Sequence, residues 1–121
     1  MVTLMSRRED AKRARSERDD IDHARLRRRF EPISSTTIAE MPCRRHAQVA
    51  GEVRRLRTAP RNGVPALEVV LSDGTGDAIA IFTGRRSIPG IESGRSMIIE
   101  GVARDERGRR VLLNPAYTLL T

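Results

Sequence analysis

The 121-residue chain carries 23 Lys and Arg against 16 Asp and Glu, for a formal net charge of +7 and an isoelectric point near 11.2. The positive excess, all Arg apart from Lys12, favours polyanionic partners, nucleic acid first, through long-range attraction and counterion release, although codon bias in a GC-rich genome gives the same arginine excess. The length allows one domain with a small core, the lone Cys43 excludes an intramolecular disulfide or a four-cysteine metal site, and the longest apolar runs fall far short of the roughly 18 residues that cross a bilayer.

Residues 1–31 read as a charged helical arm. Ser6 followed by Glu9 fits a capping box, and Glu9 with Arg13 is a favourable i,i+4 pair. Arg7-Arg8 is followed by charged residues where a signal peptide needs an apolar run, so a cytoplasmic location is expected. The apolar residues of the arm are mainly Ala, with Ile21, Leu26 and Phe30 near its end, too few for a stripe that holds a lone helix. The arm is expected to fray or to dock late, on a partner or on the domain behind it. Residues 32–45, after the break at Pro32, read as a connector that ends by pairing with the domain at 46–121.

From His46 onward the pattern changes to short β runs broken by turn residues. The first run places Val49, Gly51 and Val53 on one face, with Gly51 where a strand bends or carries a bulge. The second places Leu67, Val69 and Leu71 opposite Glu68. "GDAIAIFT", "RSMIIEGVARD" and "GRRVLLNPAYTLL" are the third, fourth and fifth runs. Between the second and third, "DGTGD" reads as a tight hairpin whose glycines allow positive φ. It lacks the Lys and Ser/Thr of a phosphate-binding loop, and its two carboxylates do not have the spacing of a calcium loop. Five short strands, a glycine in the first, and a longer element between the third and fourth describe an all-β protein: a five-stranded OB-type Greek-key barrel with a charged N-terminal helix.

The run from Gly51 to Tyr117, and "GRRSIPGIESGRS" and "NPAY" most specifically, resembles a family of small actinobacterial OB-fold nucleic-acid-binding domain proteins. The resemblance covers roughly residues 32–120 and extends more loosely to the arginine-rich leader. More distantly the chain is similar to the DNA-binding barrel of branched-DNA helicases and the anticodon-binding barrels of tRNA synthetases. The resemblance implies a barrel that binds nucleic acid and catalyses nothing. Where family members tend to carry Trp this chain has Phe82, and its only other aromatics are Phe30 and Tyr117. With so few stacking surfaces, binding must lean on arginine, and a weak, salt-sensitive affinity is expected.

In OB-type barrels the binding face is formed by strands two and three, flanked by the loops between strands one and two and between strands four and five. Here those loops are "RTAPRNGVP" and "RDERGRR", and they supply Arg57, Arg61, Arg104, Arg107, Arg109 and Arg110 as a basic rim. Phe82 shares a face of strand three with Ala78 and Ala80; if Ile79 and Ile81 are core, Phe82 faces outward as a stacking platform, and otherwise it closes the barrel end. Tyr117 is read first as a cap on the core with its hydroxyl in water, and second as a base-stacking surface. Arg85 and Arg86, after strand three, reach for phosphate or a protein partner while Ile88 and Ile91 plug the barrel. His23 and His46 have no partners at metal-ligand spacing, and no G-x-S-x-G elbow is present. No catalytic, metal or cofactor site is expected.

These readings converge on a non-enzymatic protein that binds single-stranded DNA or RNA, with the arm as a basic tether. The competing expectation is an adaptor that docks on a protein or nucleoprotein machine, through its barrel or through the N-terminal helix.

Overall fold

The computed structural model describes residues 6–121. A 24-residue helix, α1 (Arg7–Phe30), precedes six strands: β1 (His46–Arg61), β2 (Val64–Ser72), β3 (Asp77–Thr83), β4 (Ser96–Glu106), β5 (Arg109–Leu113) and β6 (Ala116–Leu119). Ser6 caps α1, its hydroxyl accepting from the Glu9 N–H at 3.2 Å. Glu9 and Asp10 stand at the positive end of the helix dipole and Arg27, Arg28 and Arg29 at the negative end. Among the described residues no helix is long and apolar enough to cross a membrane.

Five strands close into a ring. β1 is antiparallel to β4 over its first half, His46–Glu52, and to β2 from Glu52 onward. β2 is antiparallel to β3, β3 runs parallel to β5, and β5 returns antiparallel to β4. The expected fifth strand is broken in two. Asn114, at φ 47°, and Pro115, which has no N–H to donate, interrupt the ladder, so β5 pairs with β3 and β4 while β6 pairs with β4 alone.

Gly51 lies where β1 changes partners, and a Cβ there would stand 3.0 Å from the Ser72 carbonyl oxygen. The bulge itself is at Arg54, where the β1–β2 register shifts between Val53 and Arg55. Val49 and Val53 point into the ring, as their alternation predicts. One extra residue reverses the parity, so Arg55, Arg57 and Arg61 lie on the outer face opposite Val70, Glu68 and Val64.

The interior is filled by Val49, Val53, Leu67, Val69, Leu71, Met97, Ile99 and Leu112. Ile88 and Ile91, from the β3–β4 connection, join it near Leu67. At the opposite end the segment after α1 inserts Ile38 and Met41, 0% and 2% exposed. The buried Asp73 carboxylate fixes this second plug, accepting from the Ile38 N–H (2.9 Å), the Thr75 N–H (2.9 Å) and the Thr75 hydroxyl (2.6 Å). The connector, expected to meet the domain only by pairing at its end, thus also contributes to the core, a role its irregular apolar spacing does not signal.

On β3 the two faces are exchanged relative to the outward-Phe82 reading. Ala78, Ala80 and Phe82 point inward, whereas Ile79 and Ile81 form a second apolar cluster on the outer face with Ala66, Val111 and the partly buried Val70.

The last turns of α1 rest on the ring through Leu26 and Phe30, which pack with Ala50, Ile98 and Leu120. Burying these two side chains contributes about 1.5–3 kcal/mol each. Polar contacts add to this seat. Arg54, at the bulge, bonds Asp22 (2.5 Å) and Glu52 (2.6 Å), and Arg25 bonds the same two carboxylates at 2.9 and 3.2 Å. The "DGTGD" hairpin gains a second role here: a Cβ on Gly74 (φ +87°) would fall 2.1 Å from the His23 carbonyl oxygen, so only glycine admits the helix backbone.

Candidate nucleic-acid interface

Both hairpins expected to flank a binding face are tighter than the sequence reading placed them. β1 continues through Arg61 and turns at Asn62-Gly63, both at positive φ (51° and 78°), the conformation Asn-Gly favours in a two-residue hairpin. The β4–β5 hairpin turns at Arg107-Gly108 (φ 55° and 80°). Arg57, Arg61, Arg104, Arg109 and Arg110 therefore sit on strands, and Arg107 alone of the set occupies a loop tip.

Strand placement orders the arginines. Arg55, Arg57 and Arg61 alternate along the outer face of β1, and Arg109 approaches from β5, so that together they wall a groove of two adjoining depressions of about 300 and 180 Å³. Its floor is aliphatic: Val70 and Ile79 in one part, Ala66 and Ile81 in the other. Arginine suits such a site because its methylene stem covers apolar surface while the guanidinium stays in water.

Two carboxylates lie among these cations. Glu68 accepts from Arg57 through Nε (3.1 Å) and Nη2 (2.6 Å). Glu106, at the end of β4, accepts from Arg104 at 2.7 Å and from Arg61, which crosses from β1 and ties the two hairpins together. The Arg61 hydrogen bond holds the Glu106 carboxyl below its ordinary value; partial burial opposes this and Arg104 reinforces it. Among the described residues Arg55, Arg107 and Arg109 have no ion pair.

The remaining expected site residues lie elsewhere. Arg110 donates to the carbonyls of Met41 (3.1 Å) and Ala39 (2.9 Å), which ties its guanidinium to the connector. Arg86 borders a shallow depression shared with Leu56 and Arg57, and its carbonyl accepts from the Thr58 hydroxyl; Arg85 beside it is exposed. Phe82 is 6% exposed inside the ring and offers no stacking platform on the outer face. Tyr117, 42% exposed on β6, packs edge-on against Phe82 with ring centroids 5.6 Å apart. It covers the core with part of its ring in solvent, in line with its first reading, and does not line the groove.

Sequence reasoning missed Arg55 and Glu68 as groove residues and Glu106 as the partner of Arg61. Without a bulge Arg55 has the parity of the core residue Val53, and no residue at 54 announces one. No protein-family model and no curated protein matches the chain.

Proposed function

We propose that this is a non-enzymatic OB-type protein of the cytoplasm that binds single-stranded nucleic acid in the groove between the Asn62-Gly63 and Arg107-Gly108 hairpins. Support for the OB-type reading comes from the strand order β1-β2-β3-β5-β4 with β1–β4 closure and a parallel β3–β5 pair. The observation that carries the ligand reading is the arginine wall: four guanidinium groups, those of Arg55, Arg57, Arg61 and Arg109, line one groove against the single carboxylate of Glu68, with Glu106 and Arg104 joined to it through Arg61. Phosphates track such a wall, and bases rest on guanidinium planes and the aliphatic floor where other proteins supply aromatics. Binding is accordingly weakly sequence-specific and strongly salt-dependent.

The aliphatic floor also favours a second reading, an adaptor groove for an extended protein segment with apolar and acidic side chains. Fluorescence anisotropy with labelled single-stranded DNA, single-stranded RNA and duplex DNA, at low and physiological salt, separates the two. Single-strand binding with a steep salt slope is the expected result. No binding to any of the three at low salt would overturn the nucleic-acid reading in favour of the adaptor.

A further inference from the structure

Glu68 in the groove and Glu106 beside it, bonded to the groove residue Arg61, occupy guanidinium groups that a ligand phosphate would need. Glu68 takes both Nε and Nη2 of Arg57 on a single oxygen, Oε2. Glu106 takes Arg104 and Arg61 on Oε1, and through Arg61 it spans the mouth of the groove from β4 to β1. Each contact leaves an arginine within reach of a ligand, since the Arg57 side chain is 70% exposed and that of Arg104 50%, while the carboxylates they hold are set deeper, Glu68 at 13% and Glu106 at 26%. A carboxylate and a phosphodiester both present anionic oxygens that the guanidinium fork accepts, so one replaces the other without rebuilding the site.

We propose that Glu68 and Glu106 hold the places of two ligand phosphates, occupying in the free protein the arginines that a bound strand takes over. This rests on the nucleic-acid reading of the groove and extends it to the positions of two phosphate subsites and to the residues that set their affinity. One phosphodiester gains little over the carboxylate it displaces. A strand that takes both places at once gains by linkage, because Arg57 and Arg61, four residues apart on β1, are about 13 Å from each other along the strand. The groove therefore selects chains of phosphates over single phosphate groups. Displacing Glu106 from Arg61 also frees the two hairpins from each other, and with them the mouth of the groove.

The test is anisotropy with a fluorescein-labelled oligothymidylate of about 15 nucleotides, within the range one OB domain covers. Wild type is compared with Glu106→Gln, Glu68→Gln and Glu92→Gln. The last removes the same charge from an exposed residue of the β3–β4 connection, outside the groove. Glu106→Gln and Glu68→Gln are expected to bind about two- to fivefold more tightly than wild type, the fold-change of a solvent-accessible ion pair, one arginine of which faces water, that no longer has to break. Glu92→Gln should tighten binding by less than either. If both groove variants match Glu92→Gln, or bind more weakly than wild type while melting like it, the inference is overturned and the nucleic-acid reading stands. If neither wild type nor any variant binds the oligonucleotide, both fall together. Should one groove variant misfold, the other decides, because the two carboxylates sit on different strands with different arginines.

Discussion

Removing Arg55 and Arg109 together is the sharpest probe of the groove. Both line it, and among the described residues neither is paired with a carboxylate, so neither has to give up a partner to meet a ligand phosphate. Each phosphate contact to a single strand contributes about 0.7 to the slope of log K against log salt, so Arg55→Ala with Arg109→Ala should flatten the slope by about 1.4. Over a fourfold rise in salt, the affinity lost by wild type should exceed that lost by the variant by about sevenfold. Arg110 is left in place, since it holds the carbonyls of Ala39 and Met41 and its removal would loosen the plug. The assay is a salt titration of anisotropy with a single-stranded oligonucleotide, run beside Arg7→Ala with Arg8→Ala at the far end of α1. A slope equal to wild type, or an equal flattening from the α1 pair, would refute the placement of the ligand in this groove.

Phe82→Ala should act on stability rather than on stacking. Phe82 is an interior side chain, so unfolding free energy should fall by about 3–5 kcal/mol, while single-strand and duplex affinities of the folded fraction change together; a selective loss of single-strand binding at wild-type stability would contradict this. Gly74→Ala should lift the end of α1 from the ring, because the new Cβ meets the His23 carbonyl and the left-handed backbone adds about 1–2 kcal/mol of strain. Hydrogen exchange would report it as faster amides over residues 22–30, and unchanged protection would refute it. The Asp22 carboxyl is held below its ordinary 3.8, chiefly by its hydrogen bond from Arg25, with burial opposing and Arg54 reinforcing. A depressed carboxylate stabilises the fold fully above its unfolded value and ceases to as pH falls through its folded one. Asp22→Asn should therefore melt below wild type at neutral pH, and the gap should close in strong acid; a gap that persists there would show that the charge is not its cause.

Strand positions were legible where turn chemistry punctuates them. The glycines of "DGTGD" separated two runs that the structure also separates, and Val49/Val53 and Leu67/Val69/Leu71 were read on their correct faces, whereas the loops "RTAPRNGVP" and "RDERGRR" were drawn too long around the turns at Asn62-Gly63 and Arg107-Gly108. β3 was not legible in the same way, because both of its faces are buried. A strand of Ala-Ile-Ala-Ile-Phe has no polar side to mark the exterior, so alternation alone leaves two orientations open, and the bulkier isoleucines turn out to cover the outside. Ile38 and Met41 escaped for a different reason. Their segment has no period, and their burial is fixed by Asp73, a contact between residues far apart in sequence. The row of Arg55, Arg57 and Arg61 depends on a single inserted residue, which a propensity reading sees only as one more arginine.

The seat of α1 joins residues that a ribosome makes before the ring to residues that it makes as the ring is completed. Phe30 and Leu26 are covered by Ile98 and Leu120, and the β1 half-strand beneath them is closed by β4. During synthesis the helix therefore waits, undocked, until nearly the whole domain has emerged. An amphipathic helix with a broad apolar face would be an aggregation hazard during that interval. With ten basic and six acidic residues and only two apolar anchors at its end, α1 stays solvated on its own and commits to the domain only once the ring that receives it has closed.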